Sequence, residues 1–368
     1  EAPRFIYEGN DKIKINDEDY YTTDAFTDKA IEYIDEAKLE NQENPFFLYL
    51  SYNAPHWPLQ APKEDIDKYR GNYSNGWEKL RKERYNRMIE MGLVDSSWEL
   101  SYDDIISWDS LSIQKREEMD LRMAIYAAMI DRMDQNIGRL IESLKIKKLY
   151  DNTIIMFLND NGACAENDML GSGPKEQLET KEGYLLSYGK AWANASNTPY
   201  RSYKHWTHEG GIGTPFIVNW PKGISKNLRG STINQYGFLP DIMATCLDLA
   251  NTIQPEIFNG NKIKKHSGKS LMPIFSGSRK AIHEEPIFWE HEGNKAVRLG
   301  DYKLVLDWEK DVDDNWELYN ISKDRTEQNN LVDELPEIAN NMIEMYDDWA
   351  SKIKVLSWDK VNEIRSKK

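Results

Sequence analysis

Residues 24–38 place Ala30, Ile31, Ile34 and Ala37 on one face at helical spacing, with Asp24 where an N-cap belongs. The run NPFFLYLSY, residues 44–52, is continuously apolar and predicts a strand buried on both faces. Residues 64–120 are polar, rich in Trp, Lys and Glu, and read as a helical excursion over the surface. A long helix follows over about 120–145, with Ile130, Met133, Ile137, Leu140, Ile141 and Leu144 as its stripe and Asp131, Asp134 and Glu142 off it. NTIIMFLND (152–160) and GTPFIVNWP (213–221) read as two further buried strands. They are separated by a loop over 163–211 with little periodicity. FLPDIMATCLDLAN (238–251) reads as a helix.

The last 85 or so residues change character. KAVRLGDYKLVL is two alternating runs joined at Gly300-Asp301, a hairpin signal, and NWELYN supplies another short strand. A final helix starts at Pro336, with Ile338, Met342, Tyr346, Trp349 and Ile353 on one face. The expected fold class is therefore α/β, a mixed and mostly parallel sheet flanked by helices, plus a small C-terminal α+β subdomain with antiparallel strands. The expected boundaries are 1–283 for the main domain and 284–368 for the subdomain.

Composition narrows the partners. The chain has 368 residues, enough for a sizeable core, and a net charge of −15. Phosphate binding needs a basic face, so nucleic acid is not expected as a partner. No apolar run reaches the length of a membrane span. The two cysteines, Cys164 and Cys246, form neither a disulfide framework nor a metal quartet. An anionic substrate must be held by a local cluster of cations or by a metal, against the overall field.

Three stretches carry candidate chemistry. NAPHWPLQAP fixes His56 between prolines at the end of the first expected strand. The second strand ends in Asp160, Asn161 and Gly162, hard oxygen ligands suited to Ca²⁺ or Mg²⁺ beside a residue that lets the backbone turn. The third, NTPYRSYKHWTHEGGIGTPF, holds Lys204, His205, His208 and Glu209 in one irregular loop. In an open α/β sheet, ligands sit beyond the carboxyl ends of the strands, where these stretches are expected. Each has a bland alternative: a rim histidine, a common turn, or a lysine lying over aromatic faces. His205 and His208 are three apart, but no Cys or further His follows at zinc-ligand spacing. HSGKS at 266–270 lacks the first glycine of a phosphate loop.

The ordered series NAPHWPLQAP, YAAMIDRMDQNIGRL, LNDNG, NTPYRSYKHWTHEGGIGTPFIVNWP and WEHEGNKAVRLGDYKLV…WELYN resembles the sulfatases, and within them the bacterial arylsulfatase branch. That resemblance spans about Tyr20 to Trp349 and implies the alkaline-phosphatase-like fold with a small C-terminal subdomain. By position it implies that Asp160 and Asn161 bind a metal, Ca²⁺ before Mg²⁺. It implies that His56 lies near the bridging ester oxygen and that Lys204 contacts the sulfate and leaving oxygen. His208 and Glu209 take supporting roles around them. The expected substrate is a small sulfate ester or a sulfated carbohydrate, and the expected location is periplasmic or secreted.

Sulfatases attack with a formylglycine made in a C/S-x-P-S-R motif, and residues 1–368 contain none. The paired aspartates of the metal site and the Gly-Lys-x-His block are also absent; YDDII at 102–106 lacks the preceding strand. These motifs belong to the N-terminal third of a sulfatase. The expectation is thus a C-terminal portion of a longer enzyme, with the nucleophile in a missing N-terminal segment and no turnover by this portion alone. The competing expectations are a phosphonate or phosphodiester hydrolase on the same fold, and a non-catalytic homologue that binds sulfated glycans.

Overall fold

The structure, a computed structural model, describes residues 6–15, 19–41, 43–102, 105–308 and 315–367. Asp103 and Asp104 of the YDDII stretch lie outside them. The chain forms two compact units, each interleaved in sequence. The first comprises residues 1–86, 103–150 and 163–197, the second 87–102, 151–162 and 198–368.

The first unit opens with a short antiparallel pair, β1 (Ile6–Glu8) and β2 (Asp11–Ile13). It is otherwise helical: α1 (Thr22–Glu40), α2 (Lys63–Tyr69), α3 (Trp77–Glu90, whose last turn belongs to the second unit), α4 (Ile113–Ile146) and α5 (Gly189–Ser196). Helices α1 and α2 pack on α4, whose N-terminus is capped by Ser112 Oγ accepting from the Lys115 N–H. Its apolar face runs through Met119, Met123, Ala128, Met129, Met133 and Leu144, all buried. Ile130, expected on the stripe, is 39% exposed. The helix begins earlier than its periodicity indicates, and its buried face follows α1 and α2 rather than one straight line.

Asp24 does not cap α1. Tyr21 holds the cap position without a side-chain bond, while the Asp24 carboxylate accepts from Arg132 Nε at 2.8 Å, Arg132 Nη2 at 2.6 Å and Asn136 Nδ2 at 2.6 Å. A bidentate guanidinium pair is stronger than one capping bond, and it ties α1 to α4. A second cationic clamp orders part of the stretch expected to be loop. Arg122, 2% exposed, pairs with Glu118 and donates to the carbonyls of Ser172, Gly173 and Ser187. Gly171 and Gly189 both have positive φ there, and a Cβ on Gly189 would lie 2.2 Å from the Gly171 nitrogen, so this crossing requires glycine. Trp77, Trp108 and Trp192 meet with ring centroids 4.8–5.8 Å apart, and Trp192 Nε1 donates to the Met119 carbonyl.

The strand expected over 44–52 does not form. The segment has no ladder partner among the described residues, and Phe47 and Tyr49 are 79% and 81% exposed. An apolar run becomes a doubly buried strand only with neighbours on both sides.

In the second unit, β3 (Ile155–Leu158) pairs with β4 (Phe216–Asn219) in register Ile155↔Asn219 to Leu158↔Phe216. The pair is antiparallel, and so is every other ladder among the described residues. The mostly parallel sheet expected from strand–helix alternation is therefore not built from this chain's described strands, and Ile217 of β4 is 60% exposed rather than buried. Then follow α6 (Glu209–Ile212), α7 (Asp241–Leu249), the small pair β5 (Ile257–Phe258) and β6 (Asn261–Lys262), and α8 (Met272–Phe275).

The C-terminal strands match expectation closely. β7 (Ile287–His291), β8 (Asn294–Leu299), β9 (Tyr302–Leu306) and β10 (Trp316–Asn320) form an antiparallel sheet in the order β10-β9-β8-β7. Leu299 opposite Tyr302 leaves Gly300-Asp301 as a two-residue turn. Helix α9 (Pro336–Ile353) packs Ala339, Met342 and Tyr346 against Val297, Leu304, Leu306, Trp316 and Leu318. A last helix, α10 (Trp358–Ser366), capped by Ser357 and with Trp358, Val361 and Ile364 three apart, was not among the expected elements.

Candidate functional site

Within the second unit, the end of β3 and the loop carrying Lys204 are joined by two hydrogen bonds. The Gly162 N–H donates to the Gly211 carbonyl at 2.9 Å, and Thr214 Oγ1 donates to the Asn159 carbonyl at 2.9 Å. Asp160 and Asn161 thus emerge beside the 200–213 stretch. Asp160 is exposed and Asn161 half-buried, and neither side chain makes a hydrogen bond or ion pair among the described residues. Two unengaged oxygen donors at a strand end fit a hard cation; calcium takes six to eight oxygens, so these two supply part of a shell. Lys204 is half-buried in the same stretch.

What fixes that stretch is a buried charge network that sequence reading missed. The His208 ring is fully buried, with Nε2 3.2 Å from Glu317 Oε2 and no hydrogen-bond partner at Nδ1 among the described residues. Glu209, which opens α6, accepts from Lys303 Nζ and from Arg325 Nε, each at 2.9 Å. Lys303, wholly buried in β9, also donates to Glu327 Oε1 at 2.9 Å, and Glu327 Oε2 accepts from the Glu209 N–H at 2.8 Å. Arg201 donates to Glu317 at 3.1 Å and to the Tyr319 hydroxyl at 2.9 Å. Burial pushes the Glu209 carboxyl up, but Lys303 and Arg325, then Arg298, outweigh it and hold it well below the carboxylate range. Gly210 and Gly211 let this turn close tightly: a Cβ on Gly211 would lie 1.9 Å from the Trp206 carbonyl oxygen.

His56 belongs to the first unit. Its N–H donates to the Asn53 carbonyl at 3.0 Å, and three positions on Leu59, 1% exposed, donates its N–H to Leu186 O at 2.8 Å. The bend is therefore pinned on both sides of an exposed imidazole. His56 Nδ1 lies 2.7 Å from the Trp57 carbonyl. A carbonyl only accepts, so Nδ1 carries the hydrogen and proton exchange falls to Nε2. Trp57 Nε1 donates to Glu166 at 3.1 Å, and the ligand atoms of His56, Cys164 and Glu166 lie within 4.8 Å of one another.

Sequence motifs, the strand end and the lysine loop lead to one comparison that decides the family: the model described as Sulfatase matches residues 3–252. The chain belongs to the sulfatase family. A second model, N-sulphoglucosamine sulphohydrolase, C-terminal, matches residues 201–352. An uncharacterised sulfatase of Schizosaccharomyces pombe is 35% identical over 346 residues, covering 89% of this chain and 61% of that protein. An arylsulfatase of Klebsiella aerogenes is 33% identical over 278 residues, covering 72% of this chain and 56% of that protein. The chain thus spans about six-tenths of the length of these sulfatases. Among solved structures, Ps i-CgsB aligns with a TM-score of 0.61 at 24% identity, covering 93% of this chain and 57% of its own, and it has also been solved with k-i-k-neocarrahexaose. That likeness shows the fold, which is the alkaline-phosphatase-like one the resemblance implies.

Proposed function

We propose that these residues carry part of the machinery of a sulfatase that hydrolyses sulfate monoesters, with a carbohydrate or aryl alcohol as leaving group. The observation that carries this reading is the joined pair of stretches: two unengaged oxygen donors at the β3 end, hydrogen-bonded through their backbone neighbours to the loop that bears Lys204. The oligosaccharide complex of Ps i-CgsB supports the carbohydrate class.

Asp160 and Asn161 would hold Ca²⁺, which offsets the negative charge of the transferring sulfate when bound. Lys204 places a fixed ammonium at the sulfate and leaving oxygen, where a preorganised cation stabilises developing charge. His56 Nε2 delivers a proton to the departing oxygen while the Trp57 carbonyl holds Nδ1 in place. His208 and Glu209 act through position, anchoring the lysine loop to β9 and β10. The formylglycine nucleophile belongs to the proposal too. Its motif does not occur in residues 1–368, so every step assigned here concerns binding the cation, orienting the ester and moving the leaving-group proton.

Calorimetric titration of residues 1–368 with CaCl2 tests the cation site. Saturable binding that Asp160→Asn weakens tenfold or more, with no change in thermal midpoint without calcium, is expected. Equal binding by wild type and Asp160→Asn would remove Asp160 from the site.

A further inference from the structure

Six histidines occur in the chain, and two of them, far apart in sequence, meet at one point of the second unit. His205 follows Lys204 in the loop, and His291 ends β7. Their rings lie with centroids 5.4 Å apart at 34°. Glu292, next after His291, places Oε2 2.9 Å from His205 Nδ1. One ligand atom from each of the three lies within 4.8 Å of the other two.

The contact is built from both sides. Glu292 and Gly293 have φ of 51° and 88° and form the two-residue turn between β7 and β8, with His291 opposite Asn294. Asn294 Nδ2 donates to the His205 carbonyl at 3.3 Å, and Thr207 Oγ1 donates to the Lys295 carbonyl at 2.9 Å. The hairpin and the lysine loop are therefore stitched on either side of the two imidazoles. His205 itself sits at φ 90°, an unusual backbone setting for a residue with a Cβ, of the kind that clusters at functional positions. Glu292 Oε1 faces Arg365 Nη1 at 3.7 Å, which leaves the carboxylate oriented from behind.

We propose that His205, His291 and Glu292 form a binding site for a zinc-class transition-metal cation. Two imidazoles and one carboxylate are the donor set of Zn²⁺, Ni²⁺ or Cu²⁺, and unlike the all-oxygen pair at Asp160 and Asn161 they do not suit calcium. Three protein ligands leave a coordination position for water or an anion. Closing the three donors onto one ion requires an inward turn of His291, which is exposed. Because His205 adjoins Lys204, an ion here stands beside the residue proposed to contact sulfate. The site does not depend on that proposal: it stands on geometry alone.

The test is calorimetric titration of ZnCl2 into residues 1–368, stripped with chelator and held in excess CaCl2. One saturable Zn²⁺ site is expected that calcium does not displace. His291→Ala should weaken it at least about tenfold, as loss of orienting groups alone does in known metal sites. Glu292→Gln should also weaken it, and Cys164→Ser, in the separate His56 cluster, should leave it unchanged. His291 is exposed, so its variant is expected to keep the thermal midpoint of the chelated wild type. Should that midpoint fall, wild-type protein loaded with Co²⁺ gives a second readout, since the site predicts the visible bands of a low-coordinate ion with nitrogen donors. Undiminished Zn²⁺ binding by His291→Ala, binding abolished by Cys164→Ser, or Co²⁺ bands of the hydrated octahedral ion would each overturn the proposal.

Discussion

Lys303→Met tests whether the buried charge network holds the lysine loop in place. The Lys303 ammonium is fully buried and is shared, at 2.9 Å each, between Glu209 and Glu327. Methionine fills nearly the same volume, so packing in β9 is preserved and the change isolates the charge. Without it, Glu209 keeps Arg325 as its ion-pair partner among the described residues, with the field of Arg298, and the Glu327 carboxylate keeps the Glu209 N–H. Removing one partner of a buried pair costs about 3–5 kcal/mol, because the other charge stays buried and uncompensated. For a body of roughly 150–250 residues each kcal/mol lowers Tm by about 2–4 °C, so a fall of about 6–20 °C is expected. Differential scanning calorimetry at neutral pH reads it. Adding Glu327→Gln to Lys303→Met removes one stranded charge and should recover part of the loss. A fall worth less than about 1 kcal/mol, or a double variant no more stable than the single one, would refute the reasoning.

Other outcomes follow from the same structure. Glu209 has its carboxyl held below the ordinary value of 4.5, so the unfolded chain binds more protons as pH drops below that value. Its contribution to stability is then complete above about pH 4.5 and is lost progressively in more acid solution; urea midpoints at several pH values should show a shallower acid loss in Glu209→Gln than in wild type. Arg122→Met should destabilise by about 1–3 kcal/mol, since three carbonyls in the first unit lose their donor while Glu118 keeps Lys115 at 2.6 Å, and a urea midpoint within error of wild type would contradict the clamp. In the gene product that carries these residues, His56→Ala should lower kcat about 10²–10⁴-fold, the range of a lost proton donor, with stability within about 0.5 kcal/mol because the ring is exposed. Steady-state kinetics beside thermal melts separate the two effects.

The local patterns that reported faithfully were those decided by nearest neighbours. The hairpin at Gly300-Asp301 and the α9 stripe through Met342 and Tyr346 appear where periodicity and turn chemistry put them. The run at 44–52 misled because its apolar residues say nothing about whether another strand lies alongside. Asp24 misled for a different reason: a cap is a local option, and a guanidinium from a helix about a hundred residues away outbid it. The candidate residues Asp160, Asn161 and Lys204 were legible as motif positions, and one backbone hydrogen bond and one from the Thr214 hydroxyl join their stretches. The network beneath them was not. Lys303 and Glu317 sit inside strands that otherwise read as apolar, and their partners lie elsewhere in the chain, where no spacing rule reaches. In sequence His205 pairs with His208, three residues on in the same irregular loop, whereas its neighbour in space, His291, stands at the β7–β8 turn.

The most direct measurement is hydrolysis of 4-nitrophenyl sulfate, with 4-nitrophenyl phosphate and a phosphonate monoester as competitors, by the gene product that carries residues 1–368, as wild type and as Lys204→Ala. The account predicts calcium-dependent turnover, preference for the sulfate ester, and a loss of about 10²–10³-fold in kcat on removing the Lys204 ammonium. Preference for the phosphonate ester, or sulfate turnover indifferent to Lys204, would contradict it; no turnover together with retained binding of sulfated glycan would make the chain a binding scaffold instead.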